Sequence, residues 1–242
     1  MPNLNPRLLA ACVLALVMAG GVAQLFGDRS SPSPALAAEP ARAAASAAKP
    51  ASVGSFDYYV VALSWSPTYC LEEADPRRDR RQCQSTRPFA FVLHGLWPQY
   101  ERGYPKDCQT DEPRVPDHII EGVLDIMPSR GLAGHQWRKH GACTGLSHQA
   151  YFDAARAAYR KVQIPSAYTQ VSNYVTTSPV QVERAFLAAN PGLSATGVQV
   201  TCTRKHLREV RVCMTKDFKF RSCGADVQKD CTLPSVVMPP AR

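Results

Sequence analysis

The chain of 242 residues has no Cys-x-x-Cys pair, no His-Glu-x-x-His run and no Asn-x-Ser/Thr acceptor. The first absence excludes zinc ribbons and dithiol redox centres. The second excludes the metalloprotease helix, which needs two histidine ligands one turn apart with a carboxylate between them. The third leaves no site for N-linked glycans. No internal repeat occurs, which rules out solenoids and propellers. From Asp28 to Ser55 large apolar side chains are scarce and Ala, Pro and Ser dominate. Such a segment cannot offset its ordering entropy and is expected to be disordered.

What is present begins with an export pattern. Arg7 supplies a positive n-region, Leu8 to Phe26 is almost unbrokenly apolar, and Ala35-Leu36-Ala37 has the form of a cleavage site. The run is nearly long enough to span a bilayer, but cleavage rather than a retained anchor is the expectation. Leu9-Ala10-Ala11-Cys12 is no lipobox, because the apolar stretch follows the cysteine instead of preceding it. The expected organisation is a signal peptide over 1–37, a disordered Ala/Pro-rich tether over 38–55 and one domain over 56–242.

Of nine cysteines, Cys12 leaves with the signal, and the remaining eight form an even set in an exported chain. That favours disulfides over thiolates. Spacing alone cannot choose among the roughly 105 possible pairings. The formal charge is +8, and losing residues 1–37, which hold Arg7, Asp28 and Arg29, leaves +7. A basic surface attracts polyanions such as nucleic acid, anionic glycans or anionic lipid.

Residues 56–65 are rich in β-branched and aromatic side chains and predict a buried strand ending at Ser66-Pro67. A second apolar strand over 89–93 runs into His94, which is expected at the strand end. Residues 72–87 are charged and predict a loop. Helical spacing of apolar residues predicts a helix over 116–127, with Pro128 ending it, a short one over 136–141 and an Ala-rich one over 151–162. Ser178, Pro179 and Gln181 make a capping box for another, which Asn190-Pro191-Gly192 ends. Strands are predicted over 198–200, 207–214 and 218–220. Without regular βαβ alternation, the class is α+β.

The stretch Gly134-His135-Gln136-Trp137-Arg138-Lys139-His140-Gly141-Ala142-Cys143 gathers four basic or imidazole side chains and no carboxylate. As a metal site it fails, since the histidines are five apart and a lysine stands one turn after His135. As a structural segment it accounts for Arg138 on a solvated face. His118, His148 and His206 read as structural too, because a site needs converging groups. The third reading is phosphoryl transfer on RNA without a metal. One imidazole takes a proton from a ribose 2′-OH, another protonates the departing 5′-oxygen, and a fixed ammonium stabilises the charged intermediate. His94, His140 and Lys139 supply that minimum, with His135 as a further phosphate donor.

FVLHGLWPQY (Phe91 to Tyr100) and GHQWRKHGAC resemble the two active-site segments of the ribonuclease T2 family, and the likeness extends to Tyr59–Cys70 and to the C-terminal cysteines. The resemblance implies an antiparallel sheet core with helices packed around it and four disulfides: Cys70 with Cys83, Cys108 with Cys143, Cys202 with Cys231, and Cys213 with Cys223. It implies His140 as general base, His94 as general acid, His135 as phosphate ligand and Lys139 as stabiliser of the intermediate. Trp97 corresponds to a base-stacking tryptophan, and Pro128 and Ser129 lie where the family forms part of its second base site.

Two departures stand out. Gln136 replaces the family's glutamate, and without that carboxylate His140 and His94 are expected to lose their protons more easily. Gln99 stands where some relatives carry an aspartate, and an amide that both donates and accepts implies broad base preference. The expectation is therefore a periplasmic or secreted endoribonuclease that cuts single-stranded RNA through a 2′,3′-cyclic phosphate to a 3′-phosphate. It needs no metal or other cofactor, has no stable membrane association after signal cleavage, and acts as a monomer. The alternative is a protein on the same fold that captures RNA or another anion without cutting it.

Overall fold

Tyr58–Trp65 contains no glycine or proline and forms the central strand β1, buried at every residue except Ser64. The structure, a computed structural model, describes residues 53–106 and 108–241. The expected signal and nearly all of the expected tether, residues 1–52, lie outside the described residues. Hydrogen bonding reaches back to Gly54, whose N–H donates to the Cys143 carbonyl, two residues before the expected start of the domain.

The other strands are β2 (Phe91–Gln99), β3 (Val175–Thr177), β4 (Val198–Cys202), β5 (Leu207–Met214) and β6 (Val236–Met238). Four of them make an antiparallel sheet in the order β2-β1-β5-β4, and β3 pairs with β6 separately. The helices are α1 (Ser66–Glu72), α2 (Arg80–Cys83), α3 (Asp117–Glu121), α4 (Arg130–Lys139), α5 (His148–Lys161) and α6 (Pro179–Ala189). The class is α+β, with four disulfides.

Alternation along β1 assigns its two faces. Tyr59, Val61, Leu63 and Trp65 enter the main core with Phe91, Phe152 and Phe186, whereas Tyr58 and Val60 pack on the opposite face with Cys213 and Cys223. The predicted second strand does not stop at His94. It continues to Gln99, and Pro98 is tolerated because β2 is an edge strand. His94 instead occupies a bulge: Leu63 pairs with Leu93 and Ala62 with Gly95, so His94 has no partner of its own. The bulge inverts the alternation. Phe91 and Leu93 point to the main core before it and Leu96 after it, which turns Trp97 onto the opposite face. That inversion places a histidine and a tryptophan on one side of the sheet.

Several local expectations change. The helix over 116–127 shortens to α3, which Gly122 caps, and a series of turns carries the chain on to Met127. Its apolar residues are nevertheless buried as the spacing implied. The short helix over 136–141 becomes α4, which starts six residues earlier because the Ser129 side chain caps it by accepting from the Leu132 N–H. The predicted loop over 72–87 contains α2, pinned by Cys70–Cys83 and by a hydrogen bond from buried Gln82 to the Ser66 hydroxyl. The strand over 218–220 reduces to one bridge, Met214 with Phe220, because Phe218 takes the left-handed conformation (φ 58°) in a tight turn. The capping box of α6 forms at Ser178 and Gln181.

The disulfides join Cys70 to Cys83, Cys108 to Cys143, Cys202 to Cys231 and Cys213 to Cys223. The second ties the chain after β2 to the turn that follows α4.

Candidate active site

The C-terminal turn of α4 lies against β2 through close packing that only glycine permits. A Cβ at Gly95 on β2 would stand 2.1 Å from the Gln136 amide oxygen, while one at Gly141, just after α4, would stand 2.5 Å from the Trp137 ring and 3.0 Å from Tyr151 on α5. Trp137 is buried, with its indole N–H on the Glu112 carbonyl at 2.8 Å. The Tyr151 hydroxyl donates to the Leu96 carbonyl at 2.9 Å, tying α5 to the same stretch of β2. The structural reading of a Trp-centred core segment thus holds for Trp137 and buried Gln136, while His135, Arg138 and Lys139 are exposed.

A cleft of about 420 Å³ is lined by His94, Trp97, Gln99, His135, Lys139 and His140. Gln136 lines it as well, yet its residue is only 1% exposed and its oxygen accepts from the Trp97 indole N–H at 2.8 Å. The His140 ring stacks on Trp97 with centroids 5.3 Å apart, and the His94 ring meets Trp97 edge-on at 5.2 Å. Trp97 therefore sits between the two histidines and sets the orientation of both. Pro128 and Ser129 are elsewhere: they border a groove beyond His135, and Ser129 also borders a smaller cavity behind His94. The structure thus brings together the residues of the two motifs and leaves these two on the far side of His94.

The two histidines have opposite surroundings. His140 is 6% exposed, and its Nδ1 is enclosed without a hydrogen-bond partner among the described residues. Burial, reinforced by the positive charges of Lys139, His94 and His135, pushes its pKa down to about 3. His135 is also pushed down, by burial and then by Lys139, Arg138 and His94. A neutral imidazole is thus the resting form of His140.

His94 has a carboxylate partner that its sequence neighbourhood does not reveal. Its Nδ1 bonds Glu209 on β5, a side chain 2% exposed that also accepts from the Arg211 Nε and Nη2 at 3.0 and 2.9 Å. Burial works against ionisation of Glu209, but the hydrogen bond and charge of His94, together with Arg211, outweigh it and hold the carboxyl at about 2. Glu209 is an acceptor, so His94 carries its proton on Nδ1 when neutral and keeps Nε2 for the cleft. The expectation that no carboxylate attends these histidines is corrected for His94. The Arg211 guanidinium lies 5.2 Å from the Trp97 ring centroid, linking Glu209 to the tryptophan. The available signal was the alternation of β5, which puts Glu209 and Arg211 on the face opposite Val210 and Val212. Among the described residues no three His, Cys, Asp or Glu side chains are grouped to hold a metal ion.

Fold and cleft together define a disulfide-bonded α+β domain with a cationic, histidine-lined site suited to an anion. The model of the ribonuclease T2 family matches residues 56–223, and the chain belongs to that family. It is 35% identical over 190 residues to a ribonuclease of Aeromonas hydrophila, covering 77% of this chain and 84% of that one. Solved structures share the fold. An RNase-related protein from Calystegia sepium aligns with a TM-score of 0.63 at 21% identity, covering 77% of this chain and 98% of the other. RNase NT in complex with 5′-AMP aligns with a TM-score of 0.60 at 23% identity, covering 77% and 99%.

Proposed function

We propose that the protein is a metal-independent endoribonuclease that cleaves single-stranded RNA by transesterification. The observation that carries this reading is the convergence on one cleft of a neutral buried imidazole, a carboxylate-backed imidazole and a lysine.

His140 takes the proton of the ribose 2′-OH, and the oxygen attacks phosphorus. Lys139 and His135 offset the charge gathering on the non-bridging oxygens, and the Gln136 amide nitrogen donates to one of them. The P–O5′ bond breaks as His94 delivers a proton from Nε2 to the departing oxygen. This leaves a 2′,3′-cyclic phosphate, which water opens to a 3′-phosphate with the two histidines exchanging roles. Burial is the larger cause of the low His140 pKa, and a bound phosphodiester would counter the part that Lys139, His94 and His135 add to it.

Trp97 forms the platform for the base on the 5′ side. Since Arg211 covers part of its ring, the base stacks against the guanidinium or displaces it. Gln99 borders the cleft with an amide that donates and accepts, which supports broad base preference.

The four disulfides support an oxidising compartment, and we infer export through the 1–37 signal to the periplasm or the medium. Among the described residues no helix is long and apolar enough to cross a membrane.

The decisive experiment incubates purified protein with single-stranded RNA and the sixteen dinucleoside monophosphates in the presence of EDTA. Cyclic phosphate products from most dinucleotides are expected. Loss of activity with EDTA overturns the metal-independent step, strict selection for one base overturns the role of Gln99, and tight binding without cutting replaces the enzyme by an RNA-binding protein.

A further inference from the structure

Away from the catalytic cleft, helix α2 stands between two shallow depressions that the chemistry above does not use. One, of about 210 Å³, is bordered mostly by apolar side chains, among them Pro67, Leu71, Phe89, Tyr174, Pro239 and Pro240. The other, of about 470 Å³, is bordered by Arg80, Arg81 and Arg87, and the two meet at Phe89. Leu71 is 55% exposed and Tyr174 60%, the highest values for large apolar side chains among the described residues. A single exposed leucine is ordinary, but the two most exposed apolar residues on the rim of one depression mark a contact surface.

The cations beside that rim lack counter-charge. Residues 77–87 hold Arg77, Arg78, Arg80, Arg81 and Arg87 against one acidic residue, Asp79. Asp79 is buried and turns inward, accepting from the Tyr69 hydroxyl at 2.7 Å and the Asp75 N–H at 2.9 Å. Nearby carboxylates are taken as well: Asp75 by Arg78, Glu73 by Arg208 and Asp125 by Arg156. Among the described residues Arg77, Arg80, Arg81 and Arg87 form no ion pair, and all four are exposed. The Cys70–Cys83 bridge and the hydrogen bond from buried Gln82 to Ser66 hold α2 against α1, so charged and apolar parts keep a fixed relation.

Guanidiniums attract phosphate, and phosphate alone fits either RNA or lipid. The apolar companions separate the two. Leu71 and the rings of Pro67, Pro239 and Pro240 offer no π face on which a base could stack. An aliphatic side chain and a tyrosine beside arginines instead suit the boundary between headgroups and acyl chains of a bilayer.

We propose that this face docks reversibly on an anionic bilayer, with Leu71 and Tyr174 entering the headgroup region and Arg77, Arg80, Arg81 and Arg87 facing the anionic headgroups. A shallow apolar contact with a few charges gives weak, reversible attachment. It is therefore compatible with the expected lack of a stable membrane association. None of these residues borders the catalytic cleft, which stays open to RNA while the protein is docked. The proposal needs no catalysis, so it stands or falls independently of the ribonuclease mechanism.

The test is cosedimentation of the native protein with vesicles of phosphatidylglycerol and phosphatidylethanolamine in equal parts, and with vesicles of phosphatidylcholine alone. Partitioning is expected onto the anionic vesicles only, weakening as salt rises from about 0.05 to 0.5 M. At about fivefold per arginine, the Arg80→Gln/Arg81→Gln variant should partition about 25-fold less. The Leu71→Ser/Tyr174→Ser variant, with unchanged charge, should partition about tenfold less. Thermal melting of both variants checks that they fold. Absence of binding to anionic vesicles, or equal binding to phosphatidylcholine, overturns the proposal. So does native-like partitioning of the folded Leu71→Ser/Tyr174→Ser variant, which leaves a diffuse charge effect and no docking face. A folded arginine variant that binds vesicles normally but loses affinity for a 2′-O-methyl RNA oligonucleotide assigns the ridge to RNA instead.

Discussion

His94 and His140 face one cleft from supports of opposite electrical character. The sheet side sets His94 in a β-bulge and backs its Nδ1 with the buried carboxylate of Glu209, itself gripped by Arg211. The helix side sets His140 at the end of α4 beside Lys139, with its Nδ1 enclosed and unpartnered among the described residues. One environment accommodates an imidazolium and the other expels it. In the proposed mechanism this difference assigns the acid to the sheet and the base to the helix.

The largest expected effect separates the tasks. His94→Ala and His140→Ala should each lower kcat on RNA by about 10²–10⁴-fold. With an activated uridine 3′-aryl phosphate, whose leaving group needs no proton, the His94→Ala loss should shrink and the His140→Ala loss should persist. Equal losses on both substrates break the comparison.

The Cys108–Cys143 bridge ends three residues beyond His140. Replacing both cysteines by alanine should cost about 2–5 kcal/mol of stability and lower activity, read by thermal melting and initial rates. An unchanged melt and turnover would show that the helix side needs no such tie.

Glu209→Gln keeps the shape but removes the charge behind His94. We expect a fall in kcat/KM of about 10–100-fold, of the order of losing one charge-assisted hydrogen bond. Its signature is a loss that shrinks on the activated aryl phosphate, whose leaving group needs no proton. An equal loss on both substrates would assign Glu209 to packing alone.

His140 should also be visible in stability. Its folded pKa, about 3, lies below the unfolded value of 6.5, so between those limits the unfolded chain binds the extra proton. Stability from this group is complete above about pH 6.5 and declines as pH falls toward 3, by up to about 1.4 kcal/mol per unit. Glu209 adds an acid-side loss of the same sign, between its ordinary value of 4.5 and about 2. Denaturant titrations of the native protein and of His140→Gln across that window should differ in slope, and parallel curves would contradict the buried neutral imidazole.

The smallest effect comes from Gln136→Glu. A carboxylate there can still accept from the Trp97 indole and brings negative charge toward His140. The acid limb of kcat/KM should rise by about one pH unit, and an unmoved or lowered limb counts against the contrast between the two sides.

Much of this architecture was legible locally. The β1 run and the α6 capping box depend on residues within a few positions of one another, and their burial and hydrogen bonds follow from that pattern. The two motifs already contained His94, His135, Lys139 and His140. The bulge at His94 was not legible, because an extra residue in a strand is defined only by its partner strand. Nor was Glu209, 115 residues from the histidine it bonds, since a strand's alternation says which face a carboxylate takes but not what lies across it.

The sequence by itself determined the reactive groups, the disulfide-rich basic character and most of the helices and strands, because side-chain chemistry and short-range periodicity are local properties. Only the tertiary structure decided which imidazole is paired and which is stripped of its proton, and that Gln136 is occupied by Trp97. Electrostatic environment is set by burial and by neighbours brought in from distant strands, and neither exists until the chain has folded.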